Sequence, residues 1–288
     1  MSETNHVIVI GAGAAGMLAA IAAAREGAAV ELWEQNEKPG KKLFITGKGR
    51  CNVTNACDME ELLGSVVSNS KFLYSSFYGF TNQDMMDLLE QAGLRLKVER
   101  GNRVFPQSDK SSDVISALSA LLRQAGVRVC LNQKAEGLAV EEGVCKGVRC
   151  GGRIQTADRV IVATGGLSYP TTGSTGDGLK WAADSGHRLT ELSPALVPFE
   201  VKETETVKEL QGLSLKNIEA AVYDGKKELY REFGEMLFTH FGVSGPVLLS
   251  ASSFCAKAIR KRPLRLVIDL KPALSWEQLD ERILRDFS

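Results

Sequence analysis

The chain has 288 residues, which is long enough for one large domain or for two smaller domains that each bury a core. Hydrophobic residues make up 44% of the sequence and charged residues 24%, as in an ordinary globular protein. The 35 basic residues balance the 35 acidic ones, so no overall electric field recruits nucleic acid or an anionic membrane.

The sequence lacks the patterns typical of a membrane span, a secretion signal or a metal site. The longest apolar segment, residues 14–24, is shorter than the roughly 20 residues that cross a bilayer. The first residues, MSETN, have neither the basic nor the apolar region of a signal peptide. The six cysteines follow neither CxxC nor Cys/His ligand spacing. We therefore expect a cytoplasmic protein with reduced thiols, no metal, and no nucleic-acid or membrane partner.

Residues 6–34 predict a strand, a tight turn, a helix and a second strand. Gly11 permits the turn, Gly13 lets a pyrophosphate approach the backbone, and Gly16 lets the helix pack closely on the strand. The helix N-terminus offers free N–H groups and a partial positive charge to phosphates. Glu34, at the end of the second strand, can accept hydrogen bonds from a ribose diol. The pattern predicts dinucleotide binding, and an ordinary structural turn is the alternative.

A glycine- and lysine-rich loop is expected next, at residues 35–55. Loops of this length in a compact domain are usually functional or disordered. Its glycines let the backbone run close to a flat ligand, and its basic side chains supply positive charge for phosphate. We interpret it as a loop that covers a cofactor, with a mobile surface loop as the alternative.

The segment from residue 81 to residue 156 predicts further helices and strands. The expected elements are a helix capped by Thr81 or Asn82 and ending before Gly93, strands at 94–98 and 103–106, a helix capped by Ser111 or Ser112 and ending at Gln124, a strand at 127–131, and a small antiparallel meander at 134–156.

A second glycine-rich motif follows the meander and indicates which cofactor is bound. Residues 160–162 form an apolar run typical of a buried parallel strand, and Thr164-Gly165-Gly166 end it sharply. A simple NAD-dependent fold uses one glycine turn, whereas a two-part FAD domain adds a later strand that ends in ATG. The order of glycine turn, acid, loop, meander and ATGG therefore predicts FAD. Asp177, in the turn TGDG, is expected near a helix N-terminus as a cap, a ligand contact or both.

Ser193, Pro194 and Pro198 interrupt the pattern of helices and strands and mark a predicted domain boundary near residue 193. Asp224-Gly225 between two strand-like runs predicts a hairpin, and Gly245-Pro246 predicts the start of a helix. The expected fold is α/β: a Rossmann-like FAD- and NAD(P)-binding domain with a parallel sheet and a β-meander at 1–192. An inserted α+β or β-barrel-like substrate or cap domain is expected at 193–288.

The motifs GAGAAG, GKKLFITGKGRCNVTN, NRVFPQSDKSSDV, ATGGLSYPTTGSTGDG, LSPALVPF and FTHFGVSGP resemble a bacterial family of NAD(P)/FAD-dependent oxidoreductases. That family includes oxo-bile-acid reductases and aminoacetone oxidase, and the chain is more distantly similar to the FAD domain of the fumarate reductase and aspartate oxidase group. The resemblance implies FAD contacts by Lys42, Gly49, Arg50, Asn52 and Asp177. It also implies that the inserted domain is incomplete and that the shortened chain binds FAD weakly or not at all, because family members are longer.

The resemblance and the motifs together predict a flavin-dependent oxidoreductase that acts on a small organic substrate with NAD(P)H as electron partner. A non-catalytic FAD- or nucleotide-binding protein, or a truncated inactive flavoprotein, is the alternative. An FAD-dependent RNA-modifying enzyme is a third interpretation, which the balanced charge does not support. Tyr169 and His240 are weak candidates for a proton donor. The residues expected to bind the cofactor are Gly11, Gly13, Ala14, Ala15, Gly16, Glu34, Gln35, Lys41, Lys42, Gly49, Arg50, Asn52, Thr54, Lys134, Ala135, Thr164, Gly165, Gly166 and Asp177.

Overall fold

The structure is a computed structural model that describes residues 4–287. The chain divides into two compact units, Met1–Leu189 and Thr190–Ser288, which we call unit 1 and unit 2. The division therefore falls after Leu189, whereas the sequence pattern placed the boundary after residue 192.

Unit 1 alternates strands with helices along most of its length. Its strands are β1 (His6–Ile10), β2 (Ala29–Trp33), β3 (Thr54–Asn55), β4 (Leu96–Glu99), β5 (Arg103–Pro106), β6 (Arg128–Cys130), β7 (Gly137–Glu141), β8 (Val144–Cys150), β9 (Arg153–Thr156) and β10 (Arg159–Val162). Its helices are α1 (Ala14–Arg25), α2 (Lys41–Ile45), α3 (Met59–Gly64), α4 (Tyr74–Gly79), α5 (Asn82–Gln91), α6 (Ser111–Gln124) and α7 (Asp177–Asp184), with 3-10 turns at Thr46–Gly49, Ser70–Leu73 and Pro170–Thr172.

A four-stranded parallel sheet forms the centre of unit 1, in the order β10-β1-β2-β6. The strands are short apolar runs, as expected for a parallel sheet buried on both faces. On one face, Val9 and Leu32 pack with Met17 of α1 and Leu118 of α6 in a core that excludes water. On the other face, Trp33 packs in a second core cluster with residues of the meander and α7. The predicted α/β fold of this part of the chain is confirmed.

Two smaller antiparallel sheets are formed by segments that lie between strands of the parallel sheet in the chain. The first has the order β3-β5-β4, and the second is the predicted meander, β7-β8-β9. Helix α5 begins with a capping box in which Thr81 and Asp84 exchange hydrogen bonds, so Thr81 rather than Asn82 is the cap. The expectation of a loop without regular structure at 35–55 was wrong, because α2, a 3-10 turn and β3 lie within it.

Unit 2 is an antiparallel sheet packed against one long helix. Its strands are β11 (Phe199–Glu200), β12 (Ser214–Asp224), β13 (Lys227–Phe238), β14 (Gly242–Ser244) and β15 (Arg265–Asp269), in the order β11-β14-β13-β12-β15. Its helices are α8 (Thr204–Glu209), α9 (Pro246–Ile259) and α10 (Trp276–Asp286). The hairpin predicted at Asp224-Gly225 is present, with Asp224 paired to Lys227. Leu248 of α9 packs on Ile218 and Met236 of the sheet.

Neither a membrane-spanning helix nor a metal-binding group of side chains is found among the described residues. Across residues 4–287, no helix combines the length and the apolar character needed to cross a bilayer. Nor does the described part of the chain bring together three His, Cys, Asp or Glu side chains in a group suited to a metal ion.

Candidate nucleotide-binding site

The carboxyl ends of three neighbouring parallel strands meet at one edge of the central sheet. Backbone hydrogen bonds continue past the strands: Gly11 N donates to Trp33 O at 2.7 Å, and Ala163 N donates to Ile10 O at 2.8 Å. The glycine turn after β1, Glu34 after β2 and the ATGG segment after β10 are therefore held side by side. Open α/β sheets bind their ligands at the carboxyl ends of the strands, at the point where the strand order reverses.

The three glycines of the turn differ in what surrounds them. Gly11 has a φ of +100°, and a Cβ there would lie 2.6 Å from Ala163 O. A Cβ on Gly16 would lie 1.8 Å from Gly11 O, so the helix can approach the turn only because this residue has no side chain. A Cβ on Gly13 would meet nothing within 4 Å. Two glycines therefore serve packing, and the third faces open space, as close approach of a pyrophosphate requires.

Glu34 is buried at 8% exposure and holds the turn through its carboxylate. Oε2 accepts a hydrogen bond from Ala12 N at 2.9 Å. Oε1 accepts from Asn36 N at 2.9 Å and from Asn36 Nδ2 at 2.6 Å. A carboxylate has about four acceptor positions, so these three bonds leave capacity for a ligand hydroxyl.

A cavity of about 290 Å³ opens at this edge. Its volume is at the small end of the range for ligand pockets, about 300–1,000 Å³, so it can enclose part of a dinucleotide. Its lining includes twelve of the residues predicted to bind the cofactor: Gly11, Gly13, Ala14, Ala15, Glu34, Gln35, Lys41, Lys42, Ala135, Thr164, Gly165 and Asp177.

Two lysines of α2 give the cavity positive charge. Lys42 Nζ lies 3.2 Å from Ser168 Oγ, and no carboxylate lies within 4.0 Å of it among the described residues. Partial burial lowers the pKa of Lys42 below its ordinary value, because desolvation disfavours the ammonium form. Lys41 instead contacts Asn36 Oδ1 at 3.2 Å and Glu37 at 3.8 Å. Lys42 is therefore the cation with unused capacity for an anionic ligand.

The segment between β10 and α7 is tied to the end of β2. Gln35 Nε2 donates to Gly173 O at 2.9 Å, and Asn36 Nδ2 donates to Thr172 O at 3.2 Å. Gly173 has a φ of +98°, a left-handed backbone that favours glycine, and a Cβ there would also lie 2.5 Å from Gln35 Nε2. These contacts fix Thr172 and Gly173, which line the cavity, to the end of β2.

Asp177 is the first residue of α7. The preceding residue, Gly176, has a left-handed backbone and no capping side chain. Asp177 Oδ2 accepts from Thr175 Oγ1 at 2.9 Å, and Gly178 N donates to Thr164 Oγ1 at 3.2 Å. The helix N-terminus and the ATGG segment are thus joined, with the Asp177 side chain at the cavity wall.

The polar groups that line the cavity suit the adenosine and pyrophosphate part of a dinucleotide. The free N–H groups at the start of α1 and the Lys42 ammonium suit phosphate. The backbone N–H and C=O of Ala135, a buried residue of the lining, make no hydrogen bond to other residues within 4–287. Buried backbone groups normally have a partner, so this pair is available to a flat heteroaromatic ligand.

Seven of the predicted cofactor residues do not line the cavity. They are Gly16, Gly49, Arg50, Asn52, Thr54, Lys134 and Gly166. Gly16 acts in packing. With its amide oxygen and nitrogen exchanged, the Asn52 side chain donates to Val104 O and Thr54 O at 3.1 Å.

Arg50 is held in a charged cluster outside the cavity. It contacts Glu99 at 2.5 Å and Asp109 at 2.6 Å, and its guanidinium lies 4.1 Å from the centroid of the Phe105 ring. Lys97 contacts the same two carboxylates. These bonds raise the pKa of Arg50 and lower the pKa of Glu99 and Asp109.

The two weak candidates for a proton donor lie in different units, and neither lines the cavity. Tyr169 is 62% exposed and has a left-handed backbone, with a φ of +52°, just before the 3-10 turn at Pro170–Thr172. The His240 ring stacks edge-on against Phe241 at 4.9 Å between centroids. The catalytic roles suggested for Tyr169 and His240 therefore stay predictions.

Sequence reasoning missed several residues that line or support the cavity. They are Ala12, Trp33, Asn36, Leu43, Thr46, Gln133, Thr172, Gly173, Ser174 and Trp181. The position of Asn36 two residues after Glu34 was a usable signal, because an Asn side chain readily bonds to neighbouring backbone and side-chain groups. Gln133 and Trp181 gave no local signal, because only the fold brings them to the edge.

Comparison with known families identifies the fold of this site. Residues 5–255 match the family described as HI0933-like protein Rossmann domain. The chain belongs to this family. The family description names a Rossmann domain, and the predicted family resemblance is thereby confirmed.

The chain is similar in sequence to two curated relatives. The chain is 34% identical over 282 residues to the 3-dehydro-bile acid delta(4,6)-reductase of Clostridium scindens, covering 96% of this chain and 66% of the relative. It is 30% identical over 252 residues to the ribosomal RNA dihydrouridine synthase of Escherichia coli, covering 88% of this chain and 61% of the relative. The chain therefore spans about two thirds or less of the length of these relatives.

Two solved structures share the fold. A flavocytochrome c3 fumarate reductase matches 75% of this chain and 47% of its own, with a TM-score of 0.51 at 24% identity. A 3-ketosteroid delta1-dehydrogenase from Sterolibacterium denitrificans matches 74% of this chain and 62% of its own, with a TM-score of 0.53 at 16% identity. At these identities the similarity concerns the fold alone.

Proposed function

We propose that this family member is the FAD-binding part of an oxidoreductase that uses NAD(P)H to reduce an activated carbon–carbon double bond in a small organic molecule. The observation that carries the proposal is the cavity at the sheet edge, where the glycine turn, Glu34, Lys42, Thr164 and Asp177 converge. The chain spans about two thirds or less of the length of these relatives. The activity of the whole protein is therefore itself part of the proposal.

In this proposal, the residues of unit 1 bind and orient the cofactor. The N–H groups of Ala14 and Ala15 and the ammonium of Lys42 bind the pyrophosphate, and Glu34 accepts a ribose hydroxyl. Ala135 offers its two backbone groups to the adenine edge. Bound FAD would supply a carrier that accepts a hydride and passes it to an electron-poor bond.

The proposed reaction class follows from what two relatives are called. One is named a 3-dehydro-bile acid delta(4,6)-reductase and the other a ribosomal RNA dihydrouridine synthase, and both names denote addition of hydrogen to an unsaturated ring. Their shared chemistry, rather than either substrate, is what we transfer to this chain.

An RNA substrate is the second candidate, because one relative is named as a ribosomal RNA enzyme. RNA binding relies on basic surface to contact phosphates, and the chain has 35 basic and 35 acidic residues. We therefore favour a small molecule and make RNA an outcome of the test.

The test has two stages, both with the full chain. FAD is first titrated into the protein, with flavin fluorescence and absorbance as readouts, and saturable one-to-one binding is expected. NADH or NADPH is then added without oxygen, and bleaching of the flavin absorbance is expected with one of them. Binding without bleaching would favour a non-catalytic nucleotide-binding protein, and absence of binding would overturn the cofactor assignment.

Substrate class is tested by reoxidation of the bleached protein. Conjugated unsaturated ketones are expected to restore the flavin absorbance, whereas the matched saturated ketones are not. Recovery only with a uridine-containing ribosomal RNA fragment would favour the RNA candidate.

A further inference from the structure

The side chain of Asn36 contacts three residues of the nucleotide cavity from behind its wall. Asn36 Nδ2 donates to Glu34 Oε1 at 2.6 Å and to Thr172 O at 3.2 Å. Asn36 Oδ1 accepts from Lys41 Nζ at 3.2 Å. The three partners line the cavity, whereas Asn36 is half-buried and does not. Asn36 therefore acts on a ligand only through the residues that it holds.

The amide of Asn36 matches its three partners in hydrogen-bonding capacity. An amide NH₂ group has two donors, and its oxygen is an acceptor. The two donors face a carboxylate and a carbonyl, and the oxygen faces an ammonium. Leucine has a similar shape and none of these groups, and aspartate would place a second carboxylate against Glu34. Both amide hydrogens are used within the protein, so this group has no donor left for a ligand.

The bonds from Asn36 fall on one oxygen of the Glu34 carboxylate. Oε1 accepts from Asn36 N at 2.9 Å and from Asn36 Nδ2 at 2.6 Å. Among residues 4–287, Oε2 accepts only from Ala12 N, at 2.9 Å. A carboxylate oxygen has about two acceptor positions, so Oε1 is filled and Oε2 retains one open position.

We propose that Asn36 is a positioning residue that restricts Glu34 to a single hydroxyl group of the adenosine ribose. The inference rests on the proposed function, because it requires a nucleotide in the cavity. By filling Oε1, Asn36 prevents the carboxylate from accepting both hydroxyls of the ribose diol. The open position lies on Oε2, the oxygen that also holds the glycine turn. Recognition of the ribose by Glu34 therefore depends on one of its two hydroxyls.

The first measurement uses the full, unaltered chain and three probes, which are ADP, 2′-deoxy-ADP and 3′-deoxy-ADP. ADP carries the adenosine and the two phosphates that the cavity is proposed to bind. Loss of a hydrogen bond to a charged group weakens binding about tenfold or more. Calorimetry is therefore expected to show that one deoxy probe binds at least about tenfold more weakly than ADP and that the other binds within about threefold of ADP.

Asn36→Leu tests whether this asymmetry comes from Asn36. The substitution removes the side-chain donor and keeps the backbone bond from residue 36 to Oε1. One position on Oε1 then opens, so both hydroxyls can be accepted, and the affinities for the two deoxy probes are expected to differ by less than about threefold. A general loss of stability lowers both affinities alike and leaves their ratio unchanged. The ratio therefore separates a positioning role from a merely structural one.

Gln35→Leu is the matched control. Gln35 Nε2 donates to Gly173 O at 2.9 Å, beside the carbonyl that Asn36 holds, and within residues 4–287 its side chain makes no bond to Glu34. The substitution thus removes a contact to the same segment without changing the bonds of the carboxylate. Whatever its effect on the affinity for ADP, the asymmetry between the two deoxy probes is expected to persist.

Two kinds of result would overturn this inference alone. One is an equal loss with the two deoxy probes in the unaltered chain, because Glu34 would then accept both hydroxyls or neither. This result needs no variant and so does not depend on the folding of Asn36→Leu. The other is an asymmetry that persists in Asn36→Leu or disappears in Gln35→Leu, which would assign it to the shape of the cavity. Absence of ADP binding would instead overturn the proposed function, and this inference with it.

Discussion

Replacing Gly16 with alanine tests how closely α1 packs on the glycine turn. The new Cβ would lie 1.8 Å from Gly11 O and 3.3 Å from the Ala163 side chain. Ordinary contact begins at 3.4 Å, so the helix and the turn would have to separate by about 1.6 Å. The obstacle is backbone held by the sheet, and it cannot move as a flexible side chain can.

The magnitude follows from two opposing effects. Overpacking costs about 1–3 kcal/mol, and a clash this short with backbone belongs at or above the upper limit. Alanine in a helix gains about 1 kcal/mol over glycine. We therefore expect Gly16→Ala to lower the free energy of unfolding by at least about 2 kcal/mol, which for a unit of this size is at least about 4 °C in the thermal midpoint.

Gly13→Ala is the matched control, because it adds the same methyl group three residues earlier. Gly13 has a φ of −79° and a ψ of −173°, which alanine adopts readily, and its Cβ meets nothing within 4 Å. The loss of a preferred cap residue and the gain from a stiffer unfolded chain nearly cancel, so stability is expected to change by less than about 0.5 kcal/mol. The methyl group would instead occupy space needed by a phosphate.

The assay measures both properties for both variants. Thermal unfolding is followed by circular dichroism, and calorimetry measures affinity for ADP-ribose, which carries the same adenosine and pyrophosphate groups as FAD. Gly16→Ala should lose stability, and Gly13→Ala should lose affinity by about tenfold or more, equivalent to about 1.4 kcal/mol. Equal destabilisation by the two changes, or a Gly16→Ala protein with an unaltered midpoint, would refute the reasoning.

Lys42→Met is expected to weaken ADP-ribose binding about tenfold, as loss of a charge-assisted hydrogen bond requires, whereas Lys48→Met, at an exposed position outside the cavity, should not. The pKa of Lys42 is lowered from 10.5, so the part of the affinity that depends on its charge is complete below the lowered pKa and declines as pH rises through it. This decline is expected at a lower pH than for an exposed lysine. Calorimetry across alkaline pH should show no such decline in Lys42→Met. Glu34→Gln turns an amide NH₂ toward a backbone donor and should cost about 1–3 kcal/mol in urea unfolding, against no measurable cost for the exposed Glu37→Gln. The pKa of Glu99, bonded to Arg50, is lowered from 4.5, and that of Asp109, bonded to Lys97 and Arg50, is lowered from 3.8. Both carboxylates therefore stabilise the fold above those values and lose this effect as pH falls through the lowered pKa values. Arg50→Met should therefore flatten the loss of stability on acidification, and an unchanged acid limb would contradict the assignment.

The sequence predicted those parts of the site that depend on local pattern. The strand, turn and helix around Gly11 and Gly16 follow from a short apolar run, positive φ and close packing, which neighbouring residues determine. The meander and the hairpin at Asp224 were predicted in the same way, from turn residues between strand-like runs.

The rest of the site depends on contacts between residues far apart in the chain. Arg50 was assigned to the cofactor from its loop, but its charged partners are 49 and 59 residues away, where no local pattern points to them. Helix α2 was missed because its glycine-rich surroundings suggest a loop, whereas Ser111 of α6 fixes it by donating to Phe44 O at 2.8 Å. Trp181 reaches the cavity only because α7 packs against the meander.

The double use of the Glu34 carboxylate limits how the site can evolve. Its negative charge would repel a ligand that carries a phosphate on the ribose, so a change of preference toward such ligands calls for a neutral or basic residue at this position. Yet the same carboxylate accepts the hydrogen bond of Ala12 N, which helps to close the glycine turn. A single substitution that altered ligand preference would also weaken the turn. Descendants of this chain can therefore change their nucleotide only if another residue first takes over the bond to Ala12.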